Sequence, residues 1–314
     1  MMFQTATFGT GWNSYSSERR QGMKIGLVLD GGAHRTIFSC GVLDALLDAG
    51  IHADYVIGTS AGITYAISYV SGQKGRNREL FRRYVRDARY AGAWHLLCPW
   101  NRSYYNLRFL FDKVPNKLLP FDYAAYAASG TQVLATVTNL HTGKAEYLPV
   151  PPDDTTWQVL RATCALPLLF KPVTLDGAQY ADGGIGDVSP YEKALADGCD
   201  KVIVIRTRER GYLKKPEKLL QFAAKLQQRK HPQYAKAIRE YHEQCNANAA
   251  RLDALEAEGI VHVIAPQDTL GVTRTDKRID LLMALYAQGY ALTMQQMPAL
   301  RAYLTETTTR NEAE

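Results

Sequence analysis

Apolar runs and amphipathic stretches alternate along most of this chain, and their spacing sets the expected elements. MKIGLVLD predicts a strand over residues 24–30, and TIFSCGVLDALLDA, after a Gly-rich turn, predicts a helix over 36–49. DYVIG at 54–58 reads as a second strand and AGITYAISYV as the body of a helix over 61–72. A strand–helix–strand–helix order in so short a span is the signature of right-handed βαβ units on a parallel sheet.

Residues 78–120 mix Arg with aromatic rings at no single period, which predicts helices and loops laid over the sheet with most of the rings in the core. Strands are expected again at 131–138 and 145–149, followed by a helix at 155–164 and a compact turn through PVTLDGAQYADGG. KVIVIRT at 201–207 is the unbroken apolar run of a strand buried on both faces. A charged, Ala-rich helical stretch covers 216–257, a strand covers 260–265 and ends at Pro266, and a last helix covers 276–304. The pattern predicts an α/β, doubly wound fold with a mostly parallel sheet in three layers. Residues 1–22 are polar and without periodicity, so they are expected to form a flexible extension, with Met23 a candidate start of the chain proper.

Composition narrows the class. The 314 residues are 46% hydrophobic and 22% charged, enough apolar material for one sizeable core, and no linker, repeat or low-complexity tract divides them. The net charge of +6 is modest. Much of it lies in Arg76, Arg78, Arg82, Arg83 and Arg86, expected as a solvated helix face that would also suit an anionic membrane surface. No recognition motif accompanies the charge, so nucleic acid is not an expected partner. Cys40, Cys98, Cys164, Cys199 and Cys245 are odd in number and have no C-x-x-C spacing, which predicts reduced thiols and no structural zinc. Neither a signal-like apolar segment nor a run of membrane-spanning length occurs, so a cytoplasmic protein is expected.

Three motifs carry candidate chemistry. Gly58-Thr59-Ser60-Ala61-Gly62 is a G-x-S-x-G placed between an expected strand and an expected helix. A nucleophilic Ser on such a turn needs small neighbours, and the helix start directs N–H groups and its positive dipole end at an oxyanion. Asp30-Gly31-Gly32-Ala33-His34-Arg35 forms a Gly-rich turn after the first strand. It could cradle a phosphate, but Ala33 and Thr36 stand where a dinucleotide fingerprint needs glycine and no G-K-[ST] follows. As an oxyanion loop it needs only the N–H groups of Gly31, Gly32 and Ala33, with Arg35 holding the loop or meeting a lipid phosphate. Asp182-Gly183-Gly184 on its own reads as a turn former. Beside a candidate Ser nucleophile, Asp182 becomes a candidate base, provided that desolvation raises its pKa.

DGGAHR, GTSAG and DGG, in this order, resemble the patatin-like phospholipase family. The likeness runs from about residue 24 to 206, and GIVHVIAPQDTLGVTRTDKRIDLLMALYAQGY resembles the tail of a bacterial subgroup. The resemblance implies a patatin-like modified α/β-hydrolase sheet with a helical C-terminal elaboration. It also implies a catalytic core over 23–207, completed into one domain by 208–314. Ser60 would be the nucleophile and Asp182 the base, with Gly31, Gly32 and Ala33 as the oxyanion loop and no catalytic His, cofactor or metal. The family loop usually reads G-G-G-x-R-G, so Ala33 and Thr36 are departures. Thr36 could serve as a helix N-cap.

A conventional hydrolase triad would need a His after the acid. His231 and His242 fall in the charged helical stretch and His262 mid-strand, where a satisfied structural His is expected. The expected substrate is a lipid or other acyl ester, with peripheral contact to the inner membrane face through the rings and arginines of residues 76–121: Trp94, Trp100, Tyr104, Tyr105, Phe109 and Phe111 with Arg82, Arg83, Arg86, Arg89, Arg102 and Arg108. Two other readings stand beside the enzyme: a non-catalytic lipid-binding or regulatory protein that keeps the pocket, and a nucleotide-binding protein. Oligomeric state is not readable from the sequence.

Overall fold

The central strands are β-branched and aliphatic runs, and in the computed structural model, which describes residues 22–90, 92, 95 and 105–306, they join the shorter strands in one sheet. These are β1 (Ile25–Leu29), β2 (Tyr55–Thr59), β3 (Gln132–Asn139), β4 (Ala145–Pro149), β5 (Val173–Leu175), β6 (Ala178–Asp182), β7 (Lys201–Ile205) and β8 (Val261–Ile264). β3, β2, β1, β7 and β8 run parallel in that spatial order, while β4, β5 and β6 pair antiparallel. The sheet is therefore mixed and mostly parallel. The expected extension at 1–22 lies, apart from Gly22, outside the described residues, as do Trp94, Cys98, Trp100, Arg102 and Tyr104.

Alternation along the central strands makes the three layers. Leu27 and Leu29 of β1 and Ile203 and Ile205 of β7 face one core, packed by α1 (Ile37–Asp48), α2 (Ala61–Val70), α3 (Arg76–Tyr84) and the C-terminal helix. Val28, Val202 and Val204 face the opposite core, which receives Tyr191 and Ala194 of α6 (Tyr191–Ala196) and Leu252 and Leu255 of α8 (Pro232–Ala257). In chain order the remaining α-helices are α4 (Tyr123–Ala128), α5 (Gln158–Thr163), α7 (Lys218–Gln227) and the C-terminal α9 (Ile279–Thr305).

The edge of β3 decides where the site forms. β2 pairs with β3 up to Thr59 opposite Thr136, and β6 pairs with β3 from Asp182 opposite Val137. β4 covers Leu134 to Thr138, overlapping both, and so takes the other edge, since a strand has only two. β2 and β6 thus meet end to end along one edge of β3, with Thr59 and Asp182 at the junction.

Three expectations are corrected. PVTLDGAQYADGG is not a turn but the hairpin β5–β6, joined by Asp176 and Gly177 at φ 46° and 81°. Two successive positive-φ residues are what a type I′ two-residue hairpin turn requires, and Asp-Gly supplies them. The helical stretch over 216–257 divides into α7 and α8 at His231–Pro232, because Pro lacks the N–H that would continue α7 and fits the first turn of α8. Arg76 is not on a solvated face: it is 4% exposed, donates to the Leu119 carbonyl (2.9 Å) and lies over the Phe121 ring (5.3 Å). Tyr105, Phe109 and Phe111 are buried as well, whereas Arg82, Arg83, Arg86, Arg89 and Arg108 are exposed. The described part of the expected membrane-facing segment therefore offers charge but keeps these rings inside.

Candidate active site

Ser60 leaves β2 and enters α2 at φ 54° and ψ −130°, a conformation that residues with a Cβ rarely adopt and that costs on the order of 1–3 kcal/mol. The surroundings hold it there. Its N–H donates to Thr163 Oγ1 (2.8 Å), and the Thr163 hydroxyl in turn donates to the Thr136 carbonyl (2.5 Å). A Cβ at Gly62 would come 2.5 Å from the Asp30 carbonyl oxygen, so only glycine lets the first turn of α2 lie against the loop that follows β1. Gly58 is buried within β2, and Ala61 opens α2.

Asp182 ends β6 at 4% exposure, fixed on four sides. Its N–H donates to the Ala165 carbonyl (2.9 Å), and its own carbonyl accepts from Thr138 Oγ1 (2.7 Å). Oδ1 accepts from the Gly184 N–H (2.9 Å), and Oδ2 accepts from Ser60 Oγ (2.7 Å). A side chain at Gly183 would collide with the Thr136 carbonyl at 2.0 Å, which explains a glycine directly after the carboxylate. Burial pushes the Asp182 carboxyl up to about 6, against the hydrogen bonds from Ser60 and Gly184 and the Arg274 charge, which pull it down.

The loop after β1 is tied by its carbonyls. The Gly31 carbonyl accepts from Thr207 Oγ1 (2.7 Å), and the Gly32 carbonyl accepts from the Arg35 N–H (3.2 Å). Ala33 sits at φ 50°, in the left-handed region. Thr36 does not cap α1 with its side chain: the hydroxyl donates back to the Ala33 carbonyl inside a short 3₁₀ turn, Ala33–Thr36. His34 is buried, its Nδ1 donating to the Asp276 carbonyl (2.6 Å).

A cleft of about 760 Å³ joins these parts. Gly31, Gly32, Ala33, Arg35, Thr59, Ser60, Asp182 and Gly184 all line it, and among the described residues no histidine does. His231 precedes α8, His242 lies on it beside Glu243, and His262 sits on β8 near the Tyr303 ring. Six basic side chains (Arg35, Arg206, Arg208, Lys214, Lys215 and Arg274) face three carboxylates (Asp30, Asp182 and Glu217) in the same cleft. The excess of cations favours an anionic occupant. Arg35 is 6% exposed with Nε unpartnered, and burial pulls its guanidinium down to about 10. Burial raises Asp30 to about 6 as well.

The motif reading missed Arg206, Arg208, Lys214, Lys215, Glu217, Tyr241 and Arg274. One signal was present: RTRERGYLKK follows a buried parallel strand, and ligands of open α/β sheets bind beyond the carboxyl ends of the strands. Tyr241 and Arg274 carried no such mark, because only the packing of the C-terminal part against the sheet brings them in.

A family model described as Patatin-like phospholipase matches residues 27–195, and one described as a domain of unknown function (DUF6363) matches residues 231–305. The uncharacterized protein YjjU of Escherichia coli K12 is 29% identical over 187 residues, covering 59% of this chain and 52% of that one. Lysophospholipase NTE1 of Saccharomyces cerevisiae is 28% identical over 196 residues, covering 59% of this chain and 11% of that protein. The chain thus spans about half the length of the first relative and about a tenth of the second. Among solved structures, VipD from Legionella pneumophila aligns over 88% of this chain and 67% of its own at 16% identity and a TM-score of 0.48. Human GIVD cytosolic phospholipase A2 aligns over 90% and 59% at 12% identity and a TM-score of 0.45.

Proposed function

The chain belongs to the patatin-like phospholipase family, and on that premise we propose that it is a serine acyl-ester hydrolase with Ser60 as nucleophile and Asp182 as base. The observation that carries the reading is the 2.7 Å hydrogen bond from Ser60 Oγ to Asp182 Oδ2 inside the cleft. Asp182 takes the Ser60 proton as Oγ attacks the acyl carbonyl. The oxyanion is held by N–H groups of Gly32 and Ala33. A trans peptide points its C=O and the following N–H to opposite sides, so tying the Gly31 and Gly32 carbonyls to Thr207 and Arg35 turns these N–H groups away from those partners. The leaving alcohol takes the proton back from Asp182, giving the Ser60 acyl-enzyme. Asp182 then deprotonates a water that attacks the acyl carbon, and Ser60 is reprotonated as the carboxylic acid leaves.

A carboxyl raised to about 6 suits this work: it is ionised at neutral pH, yet it accepts a proton more readily than an ordinary aspartate. The excess of cations in the cleft supports a lipid ester that carries a phosphate. NTE1, by its name a lysophospholipase, supports the same substrate class. No helix among the described residues is long and apolar enough to cross a bilayer.

The test is labelling with a fluorophosphonate. Wild-type protein should react rapidly at Ser60, and Ser60→Ala should neither label nor hydrolyse p-nitrophenyl acyl esters. A folded wild-type protein that neither labels nor turns over any ester, yet binds lipid, would instead identify a non-catalytic lipid-binding protein.

A further inference from the structure

Helix α7 has two apolar faces, and only one of them is used. Ala223 and Ala224 are buried against Ala237 and Ile238 of α8. Leu219, Phe222 and Leu226, at i, i+3 and i+7, form a second ridge that is 59%, 54% and 57% exposed. Leu213, just ahead of the helix, is 70% exposed. Four of the eight exposed large hydrophobic side chains among the described residues therefore fall between residues 213 and 226, a patch rather than scatter.

Charge surrounds the ridge. Residues 214–230 hold six cations, Lys214, Lys215, Lys218, Lys225, Arg229 and Lys230, against the single carboxylate of Glu217. All but Lys214 are exposed. The ridge also adjoins the cleft, because Leu213, Lys214, Lys215, Pro216 and Glu217, the segment leading into α7, line it.

We propose that α7 is an interfacial docking helix that seats the mouth of the cleft on an anionic lipid bilayer. An exposed apolar ridge rimmed by Lys and Arg is the arrangement that lies in the headgroup region, with its rings and aliphatic chains in the acyl boundary and its cations against anionic headgroups. A second copy of the chain is the poorer occupant, since a two-fold contact across this face would set six cations against six. Docking here places lipid next to the segment that lines the cleft, so a substrate need travel only from the bilayer into the site. The proposal concerns binding, not turnover.

Vesicle co-sedimentation of the full chain, with Ser60→Ala in place to prevent hydrolysis, tests it. Binding should be strong to vesicles of equal phosphatidylglycerol and phosphatidylcholine, weaker to phosphatidylcholine alone, and reduced by salt as the Debye length falls from about 10 Å at 0.1 M. Phe222→Ser with Leu226→Ser should cut partitioning by about tenfold or more, while the same pair on the active chain leaves hydrolysis of a soluble ester at the wild-type rate. Unchanged vesicle binding in that variant overturns the proposal, as does a wild-type chain that binds neither vesicle. A dimer that the two substitutions dissociate, with vesicle binding unaltered, would make the ridge a self-interface instead. Loss of esterase activity in Ser60→Ala bears on the hydrolase reading alone.

Discussion

Ser60 and Asp182 lie 122 residues apart in sequence and 2.7 Å apart at Oγ and Oδ2, because β2 and β6 meet end to end on one edge of β3. Pairing with the same strand fixes both ends, so the separation is set by backbone register rather than by flexible loops. As the proposed nucleophile and base, two residues held in this way should behave as a unit. Asp182→Asn and Ser60→Ala should each lower ester hydrolysis by roughly 10²–10⁴-fold or more, and the double variant should be scarcely worse than either single one. Normal activity in a folded Asp182→Asn protein would sink the assignment.

The pH dependence follows from burial. As the proposed base, Asp182 must be ionised to take the Ser60 proton, so activity should rise with pH through about 6. Asp30 lines the same cleft and burial also raises it to about 6, so the two carboxyls titrate in the same range and removing one assigns the limb. Asp30→Asn should keep the limb, and Arg274→Gln should move it upward, because the Arg274 charge lowers the Asp182 pKa. A limb that vanishes in Asp30→Asn would transfer it to that residue.

Stability should respond with the opposite sign. A carboxyl whose folded pKa is above its unfolded value favours the fold below about pH 4, and that contribution is lost as pH rises through about 6. For Asp182, raised from 3.8 to about 6, the loss is roughly 3 kcal/mol. The melting temperature of Asp182→Asn relative to wild type should therefore climb between pH 4.5 and pH 7.5, on the order of several degrees. A difference that is flat over this range would show that the carboxylate is better solvated than its surroundings imply.

Ala33 provides a test of the loop. A Cβ at φ 50° costs on the order of 1 kcal/mol, and glycine would relieve this while adding a similar freedom to the unfolded chain. Ala33→Gly should leave stability and esterase activity close to wild type. Ala33→Val puts a β-branched side chain where such residues are outliers, so it should destabilise the protein and lower kcat as the loop shifts. Equal activity in the Gly and Val proteins would show that the loop does not shape the site.

The central strands were legible because buried parallel strands are unbroken aliphatic runs, as in VIVI of β7 and YVIG of β2. The positions of Ser60, the Gly-rich loop and Asp182 were legible for a related reason: tight turns restrict their residue types. The contact of Ser60 with Asp182 needed the β5–β6 hairpin, whose Asp176-Gly177 signal was hidden inside what read as one long turn. Arg76 and Arg82 look alike in sequence, yet one is buried over the Phe121 ring and the other is exposed, a difference set by packing alone. Arg274 reaches the cleft from beyond β8, and no local pattern could announce it.

Thr163 should prove a positioning residue for Ser60. It is fully buried on α5, accepts from the Ser60 N–H (2.8 Å) and donates to the Thr136 carbonyl (2.5 Å), bridging the strained elbow to β3. Thr163→Val keeps the volume but leaves a buried donor and a buried acceptor unpaired, each costing about 1–3 kcal/mol. Stability should fall by roughly 2 kcal/mol or more, and the elbow should relax from its positive φ. The kinetic signature should be a fall in kcat with KM nearly unchanged, because the proposed substrate contacts are Ser60 and the loop after β1, not the bridge. Thr163→Ser retains the hydroxyl and should restore most of both. If Val and Ser lower kcat equally, the methyl group matters and the bridge does not; if neither does, Ser60 is held by the packing of Gly62 against the Asp30 carbonyl alone.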